Sequence, residues 1–249
     1  MSNYKFVLND EFKNFKDFLI NIKNYFKENR NTIHKARNEI KVIEHENQKL
    51  VVKSFKKPNF LNRVVYTFYR SSKAKKSYEY ALKIKDFTPK PIGYIEFFTA
   101  GLIDESYFIS ECFEYDYTIR EPLLNKDFPK KEKILKAFAR FTYELHENEI
   151  FHLDYSPGNI LIKEEGENFI FKIVDINRMR FGKLSLNQKM KNFSKLWISD
   201  EDLEIVINEY SKMIGLHEKT LFFKALNFSN SNKKVKNFKK RLKGKKVVD

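Results

Sequence analysis

The chain is poor in several things, and each shortage excludes something. Its single cysteine, Cys112, rules out an intrachain disulfide and fits a reducing compartment. No apolar run approaches the roughly 18–20 residues that a membrane-crossing helix needs. The start, MSNYKFVLNDEFKNF, lacks the short apolar core of a secretory signal, so a cytoplasmic protein is expected. Seven glycines in 249 residues leave no G-x-G-x-x-G, and with it goes any phosphate-wrapping loop built from glycine backbone. Acid is scarce beside base: 33 Asp and Glu against 48 Lys and Arg, a formal net charge of +15.

What is present is a globular composition. Hydrophobic residues make up 42% and aromatics 16%, enough to build one large domain or two small lobes rather than a disordered chain. The positive charge is blocked. Residues 51–76 carry six Lys and two Arg with no acid, and residues 229–249 carry eight Lys and one Arg against Asp249. Such blocks point to a polyanionic neighbour: nucleic acid, an acidic membrane or a phosphorylated substrate. A bias toward lysine and asparagine in the coding sequence explains the last block equally well, and charge alone does not choose.

Periodicity divides the chain. Residues 10–27 place Phe12, Phe15, Phe18, Leu19, Ile22 and Phe26 at helical spacing, as for a helix packed on the domain, favoured over one lying on a membrane. Three strands follow, near 31–36, 39–45 and 49–56, then an amphipathic helix over 71–85 and two strands in PKPIGYIEFF and SYFISECF. Beyond Pro122 the pattern is mainly helical. Ile134, Phe138, Phe141 and Leu145 form a buried stripe, and NILIK and NFIFKIVDI form a hairpin across EEGEN. A helix from Ser199, a good N-cap, ends at Gly215. The expected divisions are a β-rich lobe over 1–115, a helical lobe over 116–228, and a flexible basic tail over 229–249.

The chemistry sits in FHLDYSPGNILI, residues 151–162. A long helix leads into H-x-D-x-x-x-x-N, then a hairpin ending in an apolar strand and an aspartate, KIVD. Kinases need this combination: the first aspartate faces the acceptor hydroxyl, while the asparagine and the later aspartate hold Mg²⁺ against the nucleotide phosphates. That assigns Asp154 to the hydroxyl and Asn159 and Asp175 to the metal. Asp175 lies 16 positions after Asn159, room for one hairpin. A kinase also needs a strand lysine on the phosphates, held by a glutamate of the next helix. Lys53, on the third of these strands, fits the first role against the bland reading of one surface lysine among many. Glu79 is the only acid between residues 51 and 85, although Tyr78 and Tyr80 leave the register of its helix open.

The segments RVVYTFYR, TPKPIGYIE, AFARFTYELHENEIFHLDYSPGNILI and VDINRMRFG together resemble the lipopolysaccharide kinase family, over roughly residues 30–200. The resemblance implies an α+β, bilobal protein-kinase-like fold that uses ATP and Mg²⁺. It implies phosphorylation of Kdo or heptose sugars in the lipid A–core region, at the cytoplasmic face of the inner membrane. Carried over by residue, it gives Asp154 as the catalytic aspartate, Asn159 and Asp175 as metal ligands, and Lys53 with Glu79 as the phosphate-positioning pair. The partner would be an anionic glycolipid met by peripheral electrostatic contact with that membrane. No nucleic acid is expected, and nothing in the sequence bears on oligomeric state.

The departures from a protein kinase are informative. The first-strand turn, HKARNE, has no glycine, which leaves charge from Lys35 or Arg37 as the substitute. Leu153 replaces the arginine of H-R-D, and D-F-G has become DIN. Ser156 stands where protein kinases carry a lysine, as in RIO-like and small-molecule kinases, which are the runner-up reading with a different acceptor. A catalytically silent scaffold is disfavoured because Lys53, Asp154, Asn159 and Asp175 are all present. Arg178 and Arg180 have two readings: gripping an anionic acceptor such as the Kdo carboxylate, or pairing with a local acid, the second favoured for Arg180. Glu111 through Glu114, with Phe113 between them, are expected to line the adenine hinge beside a buried Cys112. His152 is read as a packed strut and Trp197 as core.

Overall fold

Tyr4, Phe6 and Leu8 alternate inward along β1 (Tyr4–Leu8), the first element of the computed structural model, which describes residues 3–35, 38–242 and 244. The chain folds as two compact units, Met1–Glu114 and Tyr115–Asp249.

In the first unit, β1 leads through a 3-10 turn (Asp10–Phe15) into α1 (Lys16–Ile20) and α2 (Ile22–Glu28). The single helix expected over 10–27 is thus broken twice. Phe12 leaves helical geometry at φ −117°, ψ 32°, and Asn21 interrupts the path between α1 and α2. The breaks let Phe12, Phe15, Phe18, Leu19, Ile22 and Phe26 all reach the sheet, which one straight helix would not allow. Then come β2 (Thr32–Lys35), β3 (Glu39–His45), β4 (Gln48–Phe55), α3 (Phe60–Phe68), α4 (Lys73–Ile84), β5 (Pro91–Thr99) and β6 (Leu102–Glu111). Arg37 and the Lys35 side chain, considered above for phosphate contact, lie outside what the structure describes, as does residue 36.

The six strands form one antiparallel sheet in the order β1-β5-β6-β4-β3-β2. Gly93 of β5 is required there, because a Cβ would stand 2.7 Å from the carbonyl oxygen of Val7 on β1. Strand alternation separates the faces. Leu50 and Val52 of β4 join the phenylalanines of the N-terminal helices, while Phe55 packs with Ala74 and Tyr78 of α4 and Tyr94 of β5. β1 and α3 were not anticipated: β1 is five residues long and runs into the aromatic stripe, and α3 is a nine-residue amphipathic helix that buries no residue.

The second unit opens with β7 (Tyr117–Thr118), α5 (Arg120–Leu124) and α6 (Lys131–Glu147). The stripe Ile134, Phe138, Phe141 and Leu145 is buried as expected. After β8 (Ile150–His152), the hairpin β9 (Ile160–Glu165) and β10 (Asn168–Ile173) runs in register from Ile160↔Ile173 to Glu165↔Asn168. β11 (Met179–Phe181), a short strand absent from the sequence reading, returns to pair with β8. α7 (Leu186–Asn192) leads through a 3-10 turn (Phe193–Lys195) to α8 (Asp200–Ile214). Ser199 caps α8 through its Oγ, which accepts from the Asp202 N–H at 3.1 Å, and Gly215 ends it at φ 68°. α9 (Glu218–Arg241) closes the fold. Residues 229–241, expected to be a flexible tail, are the second half of this helix. It is anchored by Leu221, Ala225 and Ser229, which are buried, and by Asn232, which donates to the carbonyl of Ser194 at 2.7 Å.

Candidate active site

The loop after β8 is fixed at its backbone, by two side chains and one backbone partner. The Asp154 N–H donates to His152 Nδ1 at 3.0 Å. The Asp154 carbonyl accepts from the Ser156 N–H at 2.7 Å and from Asn159 Nδ2 at 2.9 Å. With N–H and C=O both committed, the Asp154 carboxylate projects from a backbone with little freedom. Pro157 starts a single 3-10 turn to Asn159, which closes the loop. Tyr155 points the other way, fully buried under α6, its hydroxyl 2.8 Å from Thr142 Oγ1.

His152 is the strut that the sequence suggested. Its Nε2 lies 3.0 Å from the Val174 carbonyl, so Nε2–H donates there and Nδ1 is left to accept from Asp154. Burial holds its pKa below the ordinary histidine value, while Val174, Asp175 and Asp154 pull the other way. The ring is therefore neutral and sits between the two segments that carry the carboxylates. Asn192 of α7 donates to the His152 carbonyl at 3.0 Å, and its Oδ1 lies 3.1 Å from His146 Nε2.

Hairpin register brings the asparagine and the second aspartate together. Because Ile160 faces Ile173, Asn159 and Val174 are the next rung, and the Val174 N–H donates to the Asn159 carbonyl at 2.9 Å. Asp175 follows with φ 57°, a left-handed conformation that an aspartate seldom takes outside a constrained site. Asn177 Nδ2 donates to Asp175 Oδ1 at 2.7 Å. Since Nδ2 of Asn159 is spent on Asp154, its Oδ1 is the end left to accept. The pair offers oxygen donors, which suits Mg²⁺. Among the described residues no group of three or more His, Cys, Asp or Glu is placed to hold a metal, so an ion here would draw its other ligands from phosphate oxygens and water.

Arg178 and Arg180 are both exposed, and neither side chain has an ion pair among the described residues. Their backbones brace the loop: the Arg178 carbonyl accepts from the Leu153 N–H at 3.0 Å, and Arg180 pairs with Phe151. The local ion pair weighed for Arg180 is not formed among the described residues. Ser156 is half-buried in the loop. In the first unit, Lys53 is buried on β4, its ammonium 5.3 Å from the Phe55 ring, hence on the sheet face that α4 covers. Glu79 is on α4 but exposed, with Lys75 3.8 Å away. At the end of the same unit, the Glu111 and Cys112 N–H groups are taken by the carbonyls of Lys90 and Lys49. The backbone of Phe113 makes no hydrogen bond among the described residues. Cys112 lies just past the sixth strand rather than the fifth, since β1 comes first, and is half-buried, with burial raising its thiol pKa.

Two features escaped the sequence reading. The Arg120 guanidinium lies against Gly158, where a Cβ would come 2.6 Å from Nη2. Trp197 is not core: it is 38% exposed, turned outward by φ 57°, and covered by lysines of α9.

A small antiparallel sheet followed by a helical unit carrying H-x-D-x-x-x-x-N and a hairpin aspartate is the protein-kinase-like fold, which defines the class. Residues 121–215, under half of the chain, match the model of the lipopolysaccharide kinase (Kdo/WaaP) family. The match contains Asp154, Asn159, Asp175, Arg178 and Arg180 but neither Lys53 nor Glu79. A solved structure described as WaaP in complex with acyl carrier protein is similar with a TM-score of 0.58, covering 92% of this chain and 99% of its own. At 13% identity that likeness is one of fold. No curated protein matches the chain in sequence. Among the described residues no helix is long and apolar enough to cross a membrane.

Proposed function

We propose that the protein is an ATP-dependent kinase that transfers the γ-phosphoryl group to a sugar hydroxyl of the lipid A–core region, on Kdo or heptose. The observation that supports this reading is the rung joining Asn159 to Val174, the residue before Asp175, next to an Asp154 whose N–H and carbonyl are both bonded. Asp154 orients the acceptor hydroxyl and takes its proton late, since a loose phosphoryl-transfer transition state asks for positioning more than for a strong base. Asn159 and Asp175 hold Mg²⁺, which neutralises charge on the transferring phosphate. In the first unit, Lys53 contacts phosphate oxygens with Glu79 as its partner, and Glu111 and Phe113 line the adenine site, where the uncommitted Phe113 backbone can bond the base. Arg178, Arg180 and Ser156 face the acceptor. The family match supports a glycolipid acceptor without choosing its sugar.

Incubation with labelled ATP, Mg²⁺ and a panel of lipid A precursors, free sugars and proteins tests this. Label should enter a lipid A–type sugar, and Asp154→Asn should lower turnover by about 10³-fold or more while ATP binding persists. Full activity of that variant defeats the assignment.

We further infer peripheral binding at the cytoplasmic face of the inner membrane. α3 leaves Phe60, Leu61 and Phe68 more than two-thirds exposed, beside exposed Lys56, Lys57 and Arg70. Apolar side chains flanked by cations fit an anionic lipid surface, each charge adding roughly 1 kcal/mol at most. Binding to vesicles containing anionic lipid should weaken steeply as salt rises; salt-insensitive binding removes this part of the reading.

A further inference from the structure

Arg120 approaches the H-x-D loop from outside it and lays its guanidinium on Gly158. The three atoms nearest to a Cβ built at Gly158 are Nη2, Cζ and Nε of Arg120, at 2.6, 3.3 and 3.9 Å. Gly158 sits in the 3-10 turn without a positive φ, so its backbone does not require glycine; the guanidinium does. Gly158 is the fourth residue after Asp154 and the one before Asn159. Arg178 and Arg180 brace this loop through their backbones, whereas Arg120 meets it with its charged head.

The segment that delivers Arg120 is pinned on both sides. Ile119 is wholly buried and donates its N–H to the Ile160 carbonyl at 3.0 Å, and Pro122 is buried on the far side. The head group is left unneutralised. Glu121 spends its carboxylate on the Thr118 N–H and hydroxyl, at 3.0 and 2.6 Å, and Asp116 accepts from the Glu164 N–H at 2.8 Å. Among the described residues the Arg120 guanidinium has neither a hydrogen bond nor an ion pair, and the residue is exposed. A guanidinium is a planar fork of N–H donors that matches two oxygens of a carboxylate or a phosphate. This one rests on the loop by one face and is open to a ligand by the other.

We infer that Arg120, laid against Gly158, grips an oxyanion of the acceptor sugar, a carboxylate or a phosphate, and so sets which acceptors are taken. This rests on Asp154 facing the acceptor hydroxyl, as in the proposed kinase reading. In that reading the nucleotide phosphates already have the metal ligands and Lys53, which leaves Arg120 for the charge of the acceptor.

Binding is tested without turnover. Full-length protein is titrated with Kdo, Kdo methyl ester, glucose 6-phosphate and glucose, without ATP, by ligand-observed NMR. At least one anion should bind about tenfold or more tighter than its neutral partner, and the pair that shows it tells carboxylate from phosphate. Arg120→Ala, at an exposed position, should abolish that preference. Arg120→Lys keeps the charge without the fork and should restore only part of it. Gly158→Ala should weaken anion binding by pushing the guanidinium off the loop. Added to Arg120→Ala it should cost nothing more, because the two act through one contact. No preference for either anion, a preference that survives Arg120→Ala, or a Gly158→Ala loss that is the same with and without Arg120 overturns the assignment.

Phosphotransfer tells the two readings apart. Arg120→Ala should raise the acceptor KM about tenfold while kcat and the KM for ATP stay nearly unchanged. Arg120-dependent anion binding with no transfer to any acceptor keeps Arg120 as an oxyanion-binding residue and removes the kinase. Transfer whose acceptor KM is unchanged by Arg120→Ala, or whose KM for ATP rises instead, keeps the kinase and removes the role of Arg120.

Discussion

The two units hold their candidate functional side chains by different means. In the second, Asp154, Asn159 and Asp175 are set by strand register and backbone hydrogen bonds: a rung at Asn159–Val174, a carbonyl taken twice at Asp154, and a neutral imidazole between. In the first, Lys53 is set by strand alternation, but Glu79 depends on the rotation of α4 and ends up exposed beside Lys75. A site held by backbone tolerates little movement, whereas one resting on a helix face can be adjusted by a partner or ligand.

Mutating the first unit's pair separates the two kinds of support. Lys53→Ala should cost about 10²- to 10³-fold in kcat/KM, the scale of losing a preorganised charge on the reacting phosphates. Glu79→Gln should cost about tenfold or less, because an exposed ion pair contributes little. Steady-state kinetics on the labelled acceptor measures both, and equal losses would mean that Glu79 is as firmly engaged as Lys53.

A smaller effect probes the second unit. Burial draws the pKa of His146 down to about 4, with Asn192 opposing, and also lowers that of His152. Both rings are neutral in the folded chain. Once unfolded they take up protons near the ordinary value of 6.5, whereas folded His146 does so only near 4. The stability carried by the neutral rings is whole above pH 6.5 and drains as pH falls toward 4, by at most about 1.4 kcal/mol per pH unit for each histidine. Urea melts between pH 7.5 and 4.5 should show a falling midpoint; a flat one would mean that water already reaches these rings.

Much of this was legible beforehand because the signals are local. The α6 stripe, the Ser199 cap, the Gly215 stop and the hairpin follow from periodicity and turn chemistry, and the spacing of Asp154, Asn159 and Asp175 followed from the hairpin. What stayed hidden depends on distant neighbours. The break at Asn21 serves six phenylalanine and aliphatic contacts with a sheet elsewhere in the chain. Arg120 reaches Gly158 from 38 positions away, and Trp197 faces outward because α9 brings lysines to it. A lysine-rich segment carries no mark of whether it will dock, which is why residues 229–241 read as a tail.

The hairpin β9–β10 has its open end at Asn159 and Val174 and its closed end at Gly166, which has φ 64°. Length changes at that tip, within 165–168, should loop out into solvent and leave the pair of oxygen donors in place. Removing one residue from the middle of either arm would instead turn Asn159 or Asp175 to the opposite side of the ribbon. The hairpin therefore works as a ruler read at one end only, free to vary in length at its tip and intolerant of a single slip between the marks.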